Sequence, residues 1–255
     1  MTVQIVDYET NPVGERDDAA LWVAEAGQAR RLSLAPGAEL GYGLGERHCA
    51  GVRDGGSHEP CQNETAPRCA RHTGRWACAI CTGDCDRPLQ TCKQEHAIYL
   101  AAFAPETFKV GVTRSWRLET RLREQGADRG AHLQTVDDGR TARRIEADIA
   151  TEVGDRVRVP AKIRGLGQDP VESAWQDLLT GFDPIRTTAF GYGLDLSERP
   201  VAETLASGRV LGTKGRVLVL ERAGSTYAVD LRDLLGHELT DRDDRPLQSS
   251  LVAFE

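Results

Sequence analysis

Apolar and polar positions alternate in a way that divides the chain into strand-rich ends and a mixed middle. Residues 3–8, 21–26 and 31–34 read as short strands, bounded by turn formers such as Asn11-Pro12 and Pro36-Gly37. After Pro200 the same texture returns at residues 210–211, 216–221 and 226–231, punctuated by Gly215 and Ala223-Gly224. The two ends are candidates to pair with one another. Gly41-Tyr42-Gly43-Leu44-Gly45 has the composition of a phosphate loop but neither its spacing nor its downstream helix, so a strand or turn is expected there.

The middle changes period. His96–Phe103 is an apolar run of strand type, Pro105 and Glu106 mark a turn, and residues 108–113 form a second strand, so an antiparallel hairpin is expected. Ser115 can cap a helix that runs to Gln125 and stops at Gly126. Residues 131–136 read as a third strand. Thr141 then begins a helix with Ala142, Ile145, Ile149 and Val153 on one face, closed by Gly154. Asp169-Pro170 has the form of a helix start, with Val171, Trp175, Leu178 and Leu179 as the buried stripe. The expected fold class is α+β, in five segments: N-terminal strands at 1–47, a cysteine-rich segment at 48–94, a small α/β unit at 95–165, a helical connector at 166–200 and a C-terminal β-module at 201–255.

Composition changes the picture at one place. All seven cysteines of the 255-residue chain, Cys49, Cys61, Cys69, Cys78, Cys81, Cys85 and Cys92, fall in one short segment, interleaved with His48, His58 and His72. That segment lacks apolar periodicity and would not order itself without help. The Cys78-x-x-Cys81 pair presents two thiolates from one turn, which suits tetrahedral zinc, and about one or two ions with several ligand sets are compatible with the spacing. An iron–sulfur cluster uses four thiolates as well. The odd cysteine count and the absence of a signal-like N-terminus argue against disulfides and for a reducing cytoplasm. A mean hydropathy of -0.43 and no long apolar run argue against a membrane span.

Charge is uneven. The chain carries 32 basic and 39 acidic residues, yet residues 96–165 hold 13 basic against 10 acidic, the one net-positive stretch. A basic segment in an acidic protein points toward a phosphate-bearing partner, although a solvated helix face has the same composition.

Within that stretch Ala97-Ile98-Tyr99, Lys109-Val110-Gly111 with Thr113, Arg121 and Glu146 resemble the GIY-YIG nuclease superfamily. Its fold opens with a hairpin carrying two name-giving tripeptides, followed by a helix bearing an arginine, a strand, and a helix bearing a metal-binding glutamate. Arg117 competes with Arg121 for the arginine position. More of the chain resembles an uncharacterised prokaryotic family, domain of unknown function family 2797, which shares a cysteine-rich segment followed by H-x-I-Y-L, K-V-G-V-T and R-x-x-x-Q-G-A. Here these are His96–Leu100, Lys109–Thr113 and Arg121–Ala127.

The superfamily resemblance implies nucleic acid, DNA or RNA, as partner. It implies Tyr99, Lys109, Arg121 and Glu146 as catalytic residues, with Gly111, Thr113 and Arg117 contributing to binding and Mg²⁺ or Mn²⁺ at Glu146. Phosphodiester hydrolysis needs an activated water and a group that neutralises transition-state charge, roles these residue types can fill. Two positions depart from the pattern: Lys109 replaces the second tripeptide's tyrosine, and Ala97 replaces the first tripeptide's glycine. A divalent-metal-dependent endonuclease and a non-catalytic zinc-stabilised nucleic-acid-binding or assembly module therefore both stand as readings, with an iron–sulfur or redox protein as a third. Each residue also has a plainer role: Tyr99 as a strand residue, Arg117 and Arg121 as helix charges paired with Glu119 and Glu124, Glu146 as a surface acid.

Overall fold

The computed structural model describes residues 2–10, 18–73 and 90–241. The first part contains β1 (Val3–Glu9), β2 (Ala20–Glu25), β3 (Gln28–Ser33), β4 (Glu39–Arg47), β5 (Val52–Asp54) and β6 (Ser57–Glu59). A 3₁₀ turn at Gln90–Lys93 leads into β7 (His96–Phe103) and β8 (Thr107–Arg114). A second 3₁₀ turn, Ser115–Arg117, precedes α1 (Leu118–Gln125), β9 (Arg129–Val136) and α2 (Gly139–Val153). Then come α3 (Val159–Arg164), α4 (Glu172–Leu179) and β10 (Arg186–Ala189). The last part holds β11 (Val201–Ala202), β12 (Ala206–Lys214), β13 (Val217–Arg222), β14 (Ser225–Asp230), α5 (Leu231–Leu234) and β15 (His237–Thr240). Among the described residues no helix is long and apolar enough to cross a membrane.

The chain divides into two compact units, Met1–Gly74 with Tyr192–Glu255, and Arg75–Gly191. In the first, the two ends of the chain share one sheet of order β11-β14-β13-β12-β4-β15-β1-β2-β3-β6-β5. β12 pairs with β4 antiparallel, Ala206 opposite Tyr42, and β15 lies between β4 and β1. The glycine-alternating stretch from Gly41 to Gly45 is thus the inside of a strand. Ile5, Leu21, Val23, Leu40, Leu218, Leu220 and Val229 form the core of this unit. Val217–Leu220 is buried on both faces, which is why it reads as an uninterrupted apolar run rather than an alternating one.

The second unit is a four-stranded antiparallel sheet, β10-β9-β7-β8. β7 is central and every residue from Ala97 to Phe103 is buried. Ile98, Leu100 and Ala102 pack with Val110, Ala131 and Ala142, and with Ile145, Ile149 and Val153 from α2 and Trp175 and Leu179 from α4. Fully burying Ile98 or Leu100 stabilises by about 1.5–3 kcal/mol each. Phe108 stacks on Trp175 with ring centroids 6.0 Å apart. β7, β8, α1, β9 and α2 follow one another in the expected order.

Helix starts differ from the sequence expectation, each for a local reason. α2 begins at Gly139 rather than Thr141, because the Asp138 carboxylate accepts from the Arg140 and Thr141 amides, both at 2.9 Å. Ser115 does not cap α1; its hydroxyl donates to Glu95 and a 3₁₀ turn comes first. Asp169 does not cap α4 either. Val171 is held extended with its amide donating to the Pro105 carbonyl at 2.8 Å, so the helix starts at Glu172. Gly126 ends α1 in the left-handed region, φ 72°, where its missing Cβ avoids strain. The β5–β6 hairpin, α3 and β10 carry too little periodicity to be read from sequence.

Candidate functional site

Two groups of residues have the chemistry of sites, one in each unit. In the second unit the hairpin sets the pattern. Lys109, Gly111 and Thr113 alternate along β8 and therefore share a face, opposite Ala101, Tyr99 and Ala97 of β7. Tyr99 lies directly across from Gly111, and its ring fills the space a side chain there would take: a Cβ at Gly111 would lie 2.5 Å from both Cζ and the hydroxyl oxygen of Tyr99. Glycine is required for this close approach, and the backbone at Gly111 is otherwise ordinary strand.

α1 and α2 close the site. A cavity of about 430 Å³ is lined by Tyr99, Lys109, Gly111, Thr113, Arg117, Arg121 and Glu146, so all seven residues singled out here from sequence are brought together. His96, Val112, Arg114, Gln125, Arg143, Asp155 and Arg156 complete the lining. Lys109, Arg114, Arg117, Arg121, Arg143 and Arg156 face Glu146 and Asp155, six cations to two acids, which biases the cavity toward anions.

The Tyr99 hydroxyl accepts from Gln125 Nε2 at 2.8 Å. Burial pushes its pKa up, only partly opposed by the nearby Arg121 cation and the Gln125 hydrogen bond. Burial acts the opposite way on Lys109, lowering its pKa, and the Arg121 charge adds to that. The Lys109 ammonium donates to the Asp155 carbonyl at 2.8 Å. Glu124 gathers both candidate arginines: Arg117 Nη2 contacts it at 2.7 Å and Arg121 Nη1 at 3.3 Å. Arg143 Nη1 holds Glu146 at 2.6 Å, with both side chains largely covered. Gln125 is the glutamine of the R-x-x-x-Q-G-A motif, whereas Glu124 and Arg143, the ion-pair partners of Arg121 and Glu146, are residues that the motifs did not mark. Their only sequence signal was helical spacing from Arg121 and Glu146. The charge pairing expected of Arg117 and Arg121 as plain helix residues is present as well.

The second group lies in the first unit. Cys49, Cys61, Cys69 and His72 place their three sulfurs and one imidazole nitrogen within 4.8 Å of one another. Cys49 Sγ and Cys69 Sγ lie 3.3 and 3.4 Å from His72 Nδ1, and the Cys69 amide donates to Cys49 Sγ at 3.2 Å. Tetrahedral zinc with sulfur ligands at about 2.3 Å separates them by about 3.8 Å, so this donor set fits. Burial raises the Cys49 pKa. Burial also opposes ionisation of Cys69, but the His72 amide and the Cys49 thiol outweigh it and hold that thiol below the ordinary cysteine range. These four can hold a metal ion, and the set is compatible with structural zinc.

His72 as the fourth donor was not singled out from sequence; Cys69-x-x-His72, one turn with two donors, was the available signal. Cys78, Cys81 and Cys85 lie outside the described residues. Cys92 lies beside Gly139 and is not a member of this group. Among the described residues no cluster of three or more such donors includes Glu146.

No curated protein and no solved structure matches the chain. One family model does match, over residues 45–189, a span that contains both the Cys₃His group and the cationic cavity. It covers more than half of the chain, and the chain accordingly belongs to the family described as protein of unknown function (DUF2797).

Proposed function

We propose that the cavity of the second unit binds the phosphodiester backbone of a nucleic acid and hydrolyses it in the manner of a GIY-YIG nuclease, in a protein whose Cys₃His group holds a structural zinc ion. The observation that carries the reading is convergence: β7, β8, α1 and α2 each contribute to one anion-biased cavity built around a buried tyrosine. Arg121 is the phosphate ligand. Its contact with Glu124 is half exposed, and such pairs are worth about 0–1 kcal/mol, so a phosphodiester anion can displace it easily. A planar guanidinium then engages two phosphate oxygens.

Tyr99 and Lys109 take different roles. Tyr99 stays a neutral phenol at physiological pH and orients the attacking water by hydrogen bonding. Lys109, an ammonium that donates to the Asp155 carbonyl, is the cation suited to hold a phosphate oxygen beside that water. A divalent ion at Glu146, when bound, supplies Lewis-acid stabilisation of the developing charge. On the zinc side, a histidine completing three thiolates is a common zinc donor set, whereas iron–sulfur clusters mostly use four thiolates.

A second reading is favoured by one contact. Arg143 already occupies the Glu146 carboxylate at 2.6 Å, as in a module that binds phosphate without cutting it. Gel assays on single-stranded, double-stranded and branched substrates with Mg²⁺ or Mn²⁺ separate the two. Under the nuclease reading, Arg121→Ala and Glu146→Ala both abolish cleavage and only Arg121→Ala also weakens binding, because the arginine acts in the ground state and the metal ligand on the reaction. Binding that depends on Arg121 without cleavage by the wild type would select the second reading. Absence of both would end the phosphodiester assignment.

A further inference from the structure

Trp116 is the most exposed large apolar side chain among the described residues, with 71 % of its surface open to water. It stands in the 3₁₀ turn between β8 and α1, two residues after Arg114 and one before Arg117. The guanidinium carbon of each arginine lies 5.9 Å from the indole centroid. That is the outer edge of cation–π range, close enough to orient the ring and too far to cover it. Arg117 is itself fixed by Glu124 at 2.7 Å, so the cationic flank of the ring does not wander. Arg114 and Arg117 both line the cavity. An open aromatic face therefore stands at the rim of a cationic pocket.

We propose that Trp116 stacks an unpaired nucleobase whose neighbouring phosphate enters the Lys109–Arg121 cavity, which makes the ligand class a nucleic acid with a single-stranded stretch. The inference rests on the phosphodiester reading above and goes further by naming the form of substrate. Two features of the site select that form. Bases within a duplex are already stacked on one another and present no free face to a rim indole, whereas every unpaired base does. The six cations of the cavity complement a phosphate, so one nucleotide satisfies both surfaces at once. Trp116 makes no core contact that this binding would sacrifice.

The test uses the full chain with fluorescein-labelled oligonucleotides of one sequence in three forms: single-stranded, blunt duplex, and duplex with an unpaired tail. DNA and RNA versions distinguish the two sources of the same chemistry. Anisotropy titrations should show the single-stranded and tailed forms binding more tightly than the blunt duplex. Trp116→Ala should lose about 5- to 150-fold in affinity for them, the range for one stacked base, and Trp116→Phe should lose much less. The salt dependence of binding should be unchanged in Trp116→Ala and shallower in Arg121→Ala, because only the arginine releases counterions. Tryptophan emission should be quenched on binding by the wild type and not by Trp116→Phe. The side chain is exposed, so a circular dichroism melt matching the wild type is expected of both variants. If Trp116→Ala binds all three forms like the wild type while Arg121→Ala binds weakly, stacking is overturned and the phosphodiester reading stands. If the wild type binds none of the forms, both fall.

Discussion

Replacing Gly111 with alanine would drive a methyl group into the Tyr99 ring. The new Cβ would sit 2.5 Å from two ring-end atoms, about 1 Å short of van der Waals contact. Tyr99 has little room to yield: it is 1 % exposed and its hydroxyl is held by Gln125. Overpacking of this kind costs about 1–3 kcal/mol. Turning the ring away instead would break the Gln125 hydrogen bond, worth about 1 kcal/mol. Alanine's lower conformational entropy loss returns about 0.5–1 kcal/mol.

The net expectation is a loss of about 0.5–2 kcal/mol, confined to the second unit. A single melting curve would mix the two units, so amide hydrogen exchange resolved by peptide is the better assay. Exchange from β7 and β8 should accelerate by about 2- to 30-fold, while β13 and β14 keep wild-type rates. In a Tyr99→Ala background the same Gly111→Ala change should cost nothing or stabilise. Wild-type exchange in Gly111→Ala, or an equal cost in both backgrounds, would refute the argument that the ring dictates glycine here.

Three further outcomes follow from the same structure. Elemental analysis should find zinc in the purified protein, and His72→Ala or Cys69→Ser should lower the content by about one ion per chain; an unchanged content removes the Cys₃His assignment. Asp138→Ala should destabilise by about 1 kcal/mol through loss of the α2 cap. The Thr141 amide holds the Asp138 pKa below the ordinary value, so this contribution is present above about pH 3.9 and lost as pH falls through the folded pKa. Urea titrations of wild type and variant should converge at low pH. Lys109→Met should stabilise at neutral pH, since burial lowers the Lys109 pKa and the folded state disfavours its charge. That advantage should shrink as pH rises through the folded Lys109 pKa toward the ordinary lysine value of about 10.4, where the wild type sheds the proton in both states. A variant less stable at every pH would mean that the Asp155 contact outweighs burial.

What the sequence determined by itself was local and periodic. The run from His96 to Phe103 and the alternation of Lys109, Gly111 and Thr113 dictate two strands, and strand period alone puts those three residues on one face. Ala142, Ile145, Ile149 and Val153 dictate the buried face of α2 through its 3.6-residue repeat. The clustering of cysteines marked a segment that could hold a metal ion. Other features depended on contacts distant in sequence. β15 enters between β1 and β4 because the apolar faces of both chain ends need one shared core, and no local pattern encodes that partner. Val171 starts α4 late because its amide meets Pro105, and Arg143 joins the cavity because the packing of α2 on the sheet aims it there. His72 rather than a fourth cysteine completes the Cys49, Cys61 and Cys69 group, since ligand sets are chosen by distance in space. Period sets which way a side chain faces; only the packing of separate elements decides what it meets.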